Sequence, residues 1–344
     1  MLTVLERLPD GFLDCAASEL HRLLPGPTLL HLPGRREPAL FVSILLHGNE
    51  VTGLQAVQRL LRRYAPGGGA QPLPRALSLF VGNVAAARHG VRRLDGQPDY
   101  NRIWPGGAET GSAEAAMMAT LLETMHARGV FASVDVHNNT GLNPHYACLN
   151  RLDSRFFHLA TLFGRTVVYF VRPRGVQSAA FARLCPAVTL ECGQVGQRLG
   201  ADHALDYLDA CLHLAAIPDQ PVPLHDMDLF HTVAVVRVPP EQPFGFTPGG
   251  PGLQLLPDLD HLNFRELPAG AQFGWVDGAD GSCLAACDDD GRDVTADYFT
   301  VSDGRLVTRQ PVMPSMLTLD ASVIRQDCLC YLMERLDPAS LPGG

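Results

Sequence analysis

Along this chain, unbroken apolar runs of strand length alternate with stretches whose apolar positions recur at helical spacing. PALFVSILLHG, residues 38–48, is the first such run, and EVTGLQAVQRLLRRY (50–64) follows it with the periodicity of an amphipathic helix. The Gly/Pro-rich APGGGAQPLP then breaks the chain before ALSLFVGN. SAEAAMMATLLETMHARG predicts a helix capped by Ser112 and stopped by Gly129, leading into the strand VFASVDVHNN. DSRFFHLATLFG and RTVVYFV repeat the pattern, as do CPAVTLECG and ADHALDYLDACLHLAA. Alternating buried strands and amphipathic helices predict an α/β domain over residues 1–220, with a mostly parallel or mixed sheet flanked by helices. After IPDQPVPLHD the segments HTVAVVRVP, AQFGWVDG and DYFTVSDGRLVTR are short, alternating and punctuated by Gly, Pro and Asp. They predict a smaller β-rich C-terminal domain over 225–344.

Composition narrows the function. The 344 residues are 46% hydrophobic and 18% charged, the balance of a globular protein, and no apolar stretch approaches membrane-span length. The N-terminus carries acids early and does not read as a signal peptide. A net charge of −9 without a basic patch argues against nucleic acid as a partner. All 27 basic residues are Arg, which excludes a Schiff-base or P-loop lysine mechanism. Nine Cys without a repeating spacing argue for a reducing compartment, so the cytoplasm is expected. The close pairs Cys283/Cys287 and Cys328/Cys330 raise a second zinc site as an alternative, although their spacing is not that of a zinc ribbon.

Ligands gather at the carboxyl ends of strands in parallel α/β sheets. Here three strand ends carry His or acid: His47 with Glu50, Asp135 with His137, and Glu191. Two imidazoles and a carboxylate match a catalytic zinc that keeps one position open for water. Asp135, two residues before His137 on the same strand face, can accept a hydrogen bond from the other ring nitrogen. Glu191 has the chemistry of a general base. The bland alternatives are polar strand ends, and for Glu191 a turn cap or an arginine partner. Between these groups, the arginine-rich segment ending in DYNR offers Asn101 and Arg102 to a substrate carboxylate, and Arg93 or Arg88 to a carbonyl oxygen. A solvated arginine loop is the competing reading.

HGNE, the pair Gly82-Asn83, DYNR, DVHNNTG and TLECG occur in the order and approximate spacing of one family. On these motifs the chain resembles the succinylglutamate desuccinylase/aspartoacylase group of zinc carboxypeptidase-like deacylases, over roughly residues 40–200. The resemblance implies one zinc per chain, held by His47, Glu50 and His137. It implies that Asn101 and Arg102 hold the free carboxylate of a small-molecule substrate, and that Arg93 polarises the carbonyl. Arg92 stays open for that last role, because RRLDGQPDYNR runs one residue longer than usual. Glu191 matches the base that activates water and then protonates the leaving amine, with no covalent enzyme intermediate. Aspartoacylase-like members place a further arginine shortly before the glutamate strand. Here Arg174 lies upstream of that place and Arg183 downstream, so neither N-acetylaspartate nor succinylglutamate is singled out.

The expected activity is hydrolysis of the amide bond of an N-acyl amino acid or similar small amide. A zinc carboxypeptidase-type peptidase acting on short peptides is the alternative, and a metal-binding protein without catalysis the third reading. A homo-oligomer is compatible with the sequence.

Overall fold

A computed structural model describes residues 1–64, 71–277 and 283–337. The core of the Gly/Pro-rich break after the first helix and the C-terminal end of the predicted β-rich domain lie outside the described residues. The first nine strands are β1 (Thr3–Leu5), β2 (Thr28–Leu32), β3 (Ala39–Ile44), β4 (Leu77–Val81), β5 (Val130–Asn139), β6 (Tyr146–Leu149), β7 (Thr166–Tyr169), β8 (Ala187–Gln194) and β9 (Asp228–Arg237). Between them run α1 (Thr52–Tyr64), α2 (Val84–His89), α3 (Ala113–Arg128), α4 (Ser154–Thr161), α5 (Gln177–Phe181) and α6 (Arg198–His213). The remainder supplies β10 (Phe244–Gly245), β11 (Leu253–Leu255), β12 (Gln272–Val276), β13 (Ala285–Cys287), β14 (Phe299–Ser302), β15 (Arg305–Thr308), β16 (Met313–Ser315) and β17 (Cys330–Arg335). It also carries the short helices α7 (Thr295–Tyr298) and α8 (Ala321–Gln326).

Among the described residues a twelve-stranded sheet runs in the order β1-β2-β4-β3-β5-β8-β6-β7-β9-β17-β16, with β13 also on β9. The sheet is mixed: β4, β3, β5 and β8 pair in parallel, whereas β2 and β6 join antiparallel. Every residue of β3 and β4 is buried, which explains why they read as unbroken apolar runs rather than alternating ones. Helix α1 turns Leu54, Val57, Leu60 and Leu61 into this core. Helix α3 ends as the sequence predicts: the Ser112 side chain accepts from the Ala115 N–H, and Gly129 takes the positive φ that stops it.

The second sheet, β10-β11-β12-β15-β14, comes entirely from the C-terminal part and has its own core. Its tightest turn is the hairpin β14–β15, where Asp303 and Gly304 both take positive φ as a two-residue connection requires. The expected boundary at 220–225 is not a break in the large sheet, however. β9 lies parallel to β7, and β17 and β16 extend the sheet beyond it. The C-terminal part therefore builds a small sheet and also completes the large one, and so reaches the carboxyl end of β8 and the amino end of the antiparallel β6. No described helix is long and apolar enough to cross a membrane.

Strands β3, β5 and β8 are neighbours, with Ser43 opposite Asp135 and His137 opposite Glu191. That adjacency places the three polar strand ends side by side. After β3 the chain turns at Leu45, whose φ of 54° lies in the left-handed region that a leucine rarely adopts. The turn is held by N–H donors from the next strand's end, Gly82 to the Ile44 carbonyl and Asn83 to the Leu45 carbonyl. Gly48 sits against α2 so closely that a Cβ would meet the Ala87 nitrogen at 2.2 Å. Gly48→Ala therefore forces backbone apart, and we expect a loss of about 1–3 kcal/mol in stability, read by denaturant unfolding.

Candidate metal centre and active site

The loop between β3 and α1 carries His47 and Glu50, three and six residues beyond the last strand residue rather than at the strand end itself. His137 lies within β5. All three side chains are buried, and their ligand atoms lie within 4.8 Å of one another. Nδ1 of His47 stands 2.7 Å from Oε1 of Glu50, and Nδ1 of His137 stands 2.7 Å from Oε2. The Asn138 backbone N–H donates to the same Oε2 at 3.1 Å.

The remaining ring nitrogens also meet carboxylates. His47 donates from Nε2 to Oδ1 of Asp99 at 3.0 Å, and His137 from Nε2 to Oδ2 of Asp135 at 2.8 Å. Asp99, Asp135 and Glu50 all only accept, so both nitrogens of each ring face carboxylates; a cation taking the place of the Nδ1 proton would leave Nε2–H on the aspartate and turn the Nδ1 lone pair to the metal. Asp135 is itself fully buried and takes the Ser43 hydroxyl at 2.7 Å. Two convergent imidazole Nδ1 atoms and a carboxylate, each backed by a further partner, fit a divalent cation of the zinc type. Electrostatics agree. Burial disfavours charge on Glu50, yet the two histidines outweigh it and hold the carboxyl well below its ordinary range. Burial opposes protonation of His137, but Asp135 and Glu50 raise it above the usual range; a cation would relieve that proton's place. Among the described residues no other group of His, Cys, Asp or Glu meets this geometry, so the Cys283/Cys287 and Cys328/Cys330 pairs do not assemble a second such cluster.

A cleft opens over this cluster. Glu191 of β8 lines it and is buried, with Asn139 Nδ2 at 3.4 Å from its Oε2. Burial dominates there and pushes the Glu191 carboxyl up to about 7. Asn101 is held from both sides: its Oδ1 accepts from the Gln177 N–H at 3.0 Å, and its Nδ2 lies 3.2 Å from His137 Nε2. Behind it Gly175, at φ 76°, leaves room for the Arg102 carbonyl, which a Cβ would meet at 2.1 Å.

The two adjacent arginines diverge. Arg92 enters the cleft, donating from Nε and Nη2 to Oδ2 of Asp99 at 3.2 and 2.9 Å, with Nη1 3.8 Å from Glu50. Arg93 points the other way and donates to the Gln97 carbonyl at 2.7 Å, so it does not line the cleft. Of the two arginines that the sequence left open, Arg92 lines the cleft and Arg93 does not. Arg88 lies exposed on α2. Arg174 and Arg183 are exposed and do not line the cleft; the arginine that does reach it from this stretch is Arg172, whose Nε donates to the Asp289 carbonyl at 2.7 Å.

Sequence reasoning missed Asp99, Asp327 and Arg172. Asp99 was within reach, because it stands in the quoted DYNR motif. Asp327, just after α8, pairs with Arg102 at 2.6 Å and with Arg92 at 3.3 Å across more than two hundred residues, and no local pattern announces it. Tyr146 and Tyr331 complete the wall.

An α/β sheet with a His-x-x-Glu loop and a distant His meeting at the ends of neighbouring parallel strands is the zinc carboxypeptidase-like fold class. Residues 37–217, more than half of the chain, match the succinylglutamate desuccinylase/aspartoacylase catalytic domain, and the chain belongs to that family. It is 34% identical over 128 residues to the succinylglutamate desuccinylase of Pseudomonas aeruginosa; the match spans 36% of this chain and 37% of that protein's length. The crystal structure of the succinylglutamate desuccinylase of Vibrio parahaemolyticus has the same fold, with a TM-score of 0.59 at 15% identity, over 90% of this chain and 86% of the other. Murine aminoacylase 3 shares it at a TM-score of 0.52 and 16% identity, over 88% and 97%.

Two outcomes test the cluster. His47→Ala should abolish stoichiometric metal uptake, read by elemental analysis of the purified protein. Asp135→Asn, which removes the acceptor behind His137, should weaken metal affinity about 10–100-fold in a chelator competition.

Proposed function

We propose that this protein is a zinc-dependent hydrolase that cleaves the amide bond of an N-acyl amino acid or similar small amide. The observation that carries the reading is the convergence of the ligand atoms of His47, Glu50 and His137 beside the buried Glu191, which lies opposite His137 on the adjacent strand under one cleft. His47, Glu50 and His137 would hold one zinc per chain, which supplies Lewis-acid polarisation of a water and of the scissile carbonyl. Family membership supports the deacylase class.

Each remaining role falls to the chain. Glu191 in its ionised form accepts a proton from the attacking water and returns it to the leaving amine. A carboxyl raised to about 7 by burial is suited to both halves of that exchange near neutrality. Arg92 presents a guanidinium at the edge of the cluster and holds the negative charge that develops on the carbonyl oxygen. Asn101 and Arg102 line the side of the cleft that receives the amine portion. The opposite wall, with Val168, Phe170 and Val176, is apolar and suits the acyl portion.

A panel of N-acyl amino acids run against free and C-terminally blocked dipeptides tests the activity. Release of the free amino acid from the first set is expected; cleavage of dipeptides alone would replace the deacylase with a peptidase. Glu191→Gln should keep its metal and lose about 10²–10⁴ in kcat. The sign of the pH dependence follows from the raised pKa: Glu191 gains a proton as pH falls, so kcat/KM drops on the acid side. A nearby cation favours the ionised form, which places that limb at or below about 7, and Glu191→Gln should remove it. Arg92→Ala should cost about 10²–10³ in kcat, whereas Arg93→Ala should leave kcat near the native value.

A further inference from the structure

Beside Glu191 stands Asn139, the last residue of β5, which lines the cleft and is 6% exposed. Its Nδ2 donates to Glu191 Oε2 at 3.4 Å, a loose contact of the kind that tightens when a substrate fills the site. An ionised carboxylate only accepts, so Nδ2 faces Glu191 and Oδ1 is turned away from it. That Oδ1 is buried and, among the described residues, has no hydrogen-bond partner. Buried amide oxygens are normally paired, and the donor for this one can enter through the cleft.

A break in strand pairing sets the placement. Two steps along β5, from His137 to Asn139, lie against three along β8, from Glu191 to Gln194. Gly193 takes a φ of 71° within the extra step, and a bulge of this sort re-aims the side chains around it. The backbone on either side of Asn139 is pinned to the bulge. Asn138 Nδ2 donates to the Gly193 carbonyl at 2.9 Å, and Gln194 Nε2 to the Thr140 carbonyl at 3.0 Å. Neighbouring amide oxygens are already engaged: Asn101 Oδ1 accepts from the Gln177 N–H and Asn138 Oδ1 from the Thr52 N–H. Asn49 Oδ1 is also unpartnered among the described residues, but Asn49 stands on the loop of His47 and Glu50 and has no hydrogen bond to Glu191.

A secondary amide brings one donor to this corner. As its carbonyl carbon becomes tetrahedral, the nitrogen lone pair must face the group that protonates it, and the N–H then points elsewhere. Glu191 takes one proton from the attacking water and passes it to that lone pair as the C–N bond breaks. The water oxygen stays on the acyl carbon, and the amine leaves with its own N–H and the transferred proton. An acceptor tied to Glu191 can hold the N–H and so orient the nitrogen against the proton donor. Being neutral, it adds no charge beside the metal ligands, and the substrate carboxylate keeps Asn101 and Arg102 as its partners.

We propose that Asn139 is a specificity-determining residue: its Oδ1 accepts the N–H of the scissile bond, turns the nitrogen lone pair to Glu191, and selects secondary amides over esters. This rests on the hydrolase reading given above and sharpens its substrate class.

The test uses the metal-loaded full chain and two pairs of compounds that differ only in NH against O. N-benzoylglycine and O-benzoylglycolate are the substrates; phenylphosphonyl-glycine and phenylphosphonyl-glycolate are tetrahedral analogues whose affinities are read by calorimetry. Native protein should bind the NH analogue about 100-fold more tightly than the oxygen analogue, which sets two acceptors face to face. Asn139→Ala and the similarly sized Asn139→Leu should each shrink that ratio to within about threefold. They should also lower kcat/KM for the amide about tenfold more than for the ester, whereas Asn49→Ala should keep the analogue ratio. Ratios within one preparation are independent of its folded fraction, so partial misfolding of a variant does not blur them. An unchanged ratio in the Asn139 variants, equal losses for amide and ester, a ratio that collapses in Asn49→Ala, or failure of native protein to bind the NH analogue overturns the inference. The panel of N-acyl amino acids decides the hydrolase reading separately: if its members are cleaved and the NH-to-O ratio does not move, the role of Asn139 falls and the hydrolase stands.

Discussion

Two carboxylate–histidine pairs govern this site. Asp99 and Asp135 each face the Nε2 of a histidine, which aims both Nδ1 atoms at the two oxygens of Glu50. Without those acceptors each ring is free to hold its proton on either nitrogen or to flip, and the donor set loses its direction. The arrangement reaches further back than the histidines. Ser43 on β3 binds Asp135 on β5, so the pairing of two central strands is also what aims His137. Metal chemistry and sheet register are one constraint here: a one-residue slip between β3 and β5 would turn Asp135 and His137 away from the cleft together.

Around that centre the chain divides the labour between elements. The parallel strands carry His137 and Glu191 on rigid backbone, which suits groups that must hold their geometry. The loops carry His47, Glu50, Arg92, Asn101 and Arg102, and each loop is pinned by close approach, Gly48 against α2 and Gly175 against the Arg102 carbonyl. The C-terminal part closes the cleft through Asp327 and Tyr331 because β9 and β17 continue the large sheet rather than leaving it.

Much of the α/β core was legible because burial on both faces leaves a simple trace. β3 and β4 are apolar but for one serine each, β8 is buried over nearly its whole length, and α3 shows its Ser112 and Gly129 signals openly. β1, β2 and β6 escaped notice, being short or set among polar neighbours, and their pairing sets the mixed character of the sheet. Among the site residues, the strand-end His and acids stood out because polar groups that close an apolar run are visible against it. Arg92 and Arg93 did not separate, since two identical side chains in a loop differ only in the direction the backbone gives them.

The sequence by itself determined the alternation of strands and helices, the chemical types available at the strand ends, and the absence of any lysine chemistry. These follow from local periodicity and from composition, which no tertiary contact can alter. Tertiary structure alone decided that β3, β5 and β8 are neighbours, that Arg92 rather than Arg93 faces the cluster, and that Asp327 meets Arg102. Each of these depends on contacts between residues far apart in the chain or on which way a loop backbone faces. Such contacts are set by how the whole core packs, and a linear pattern carries no record of them.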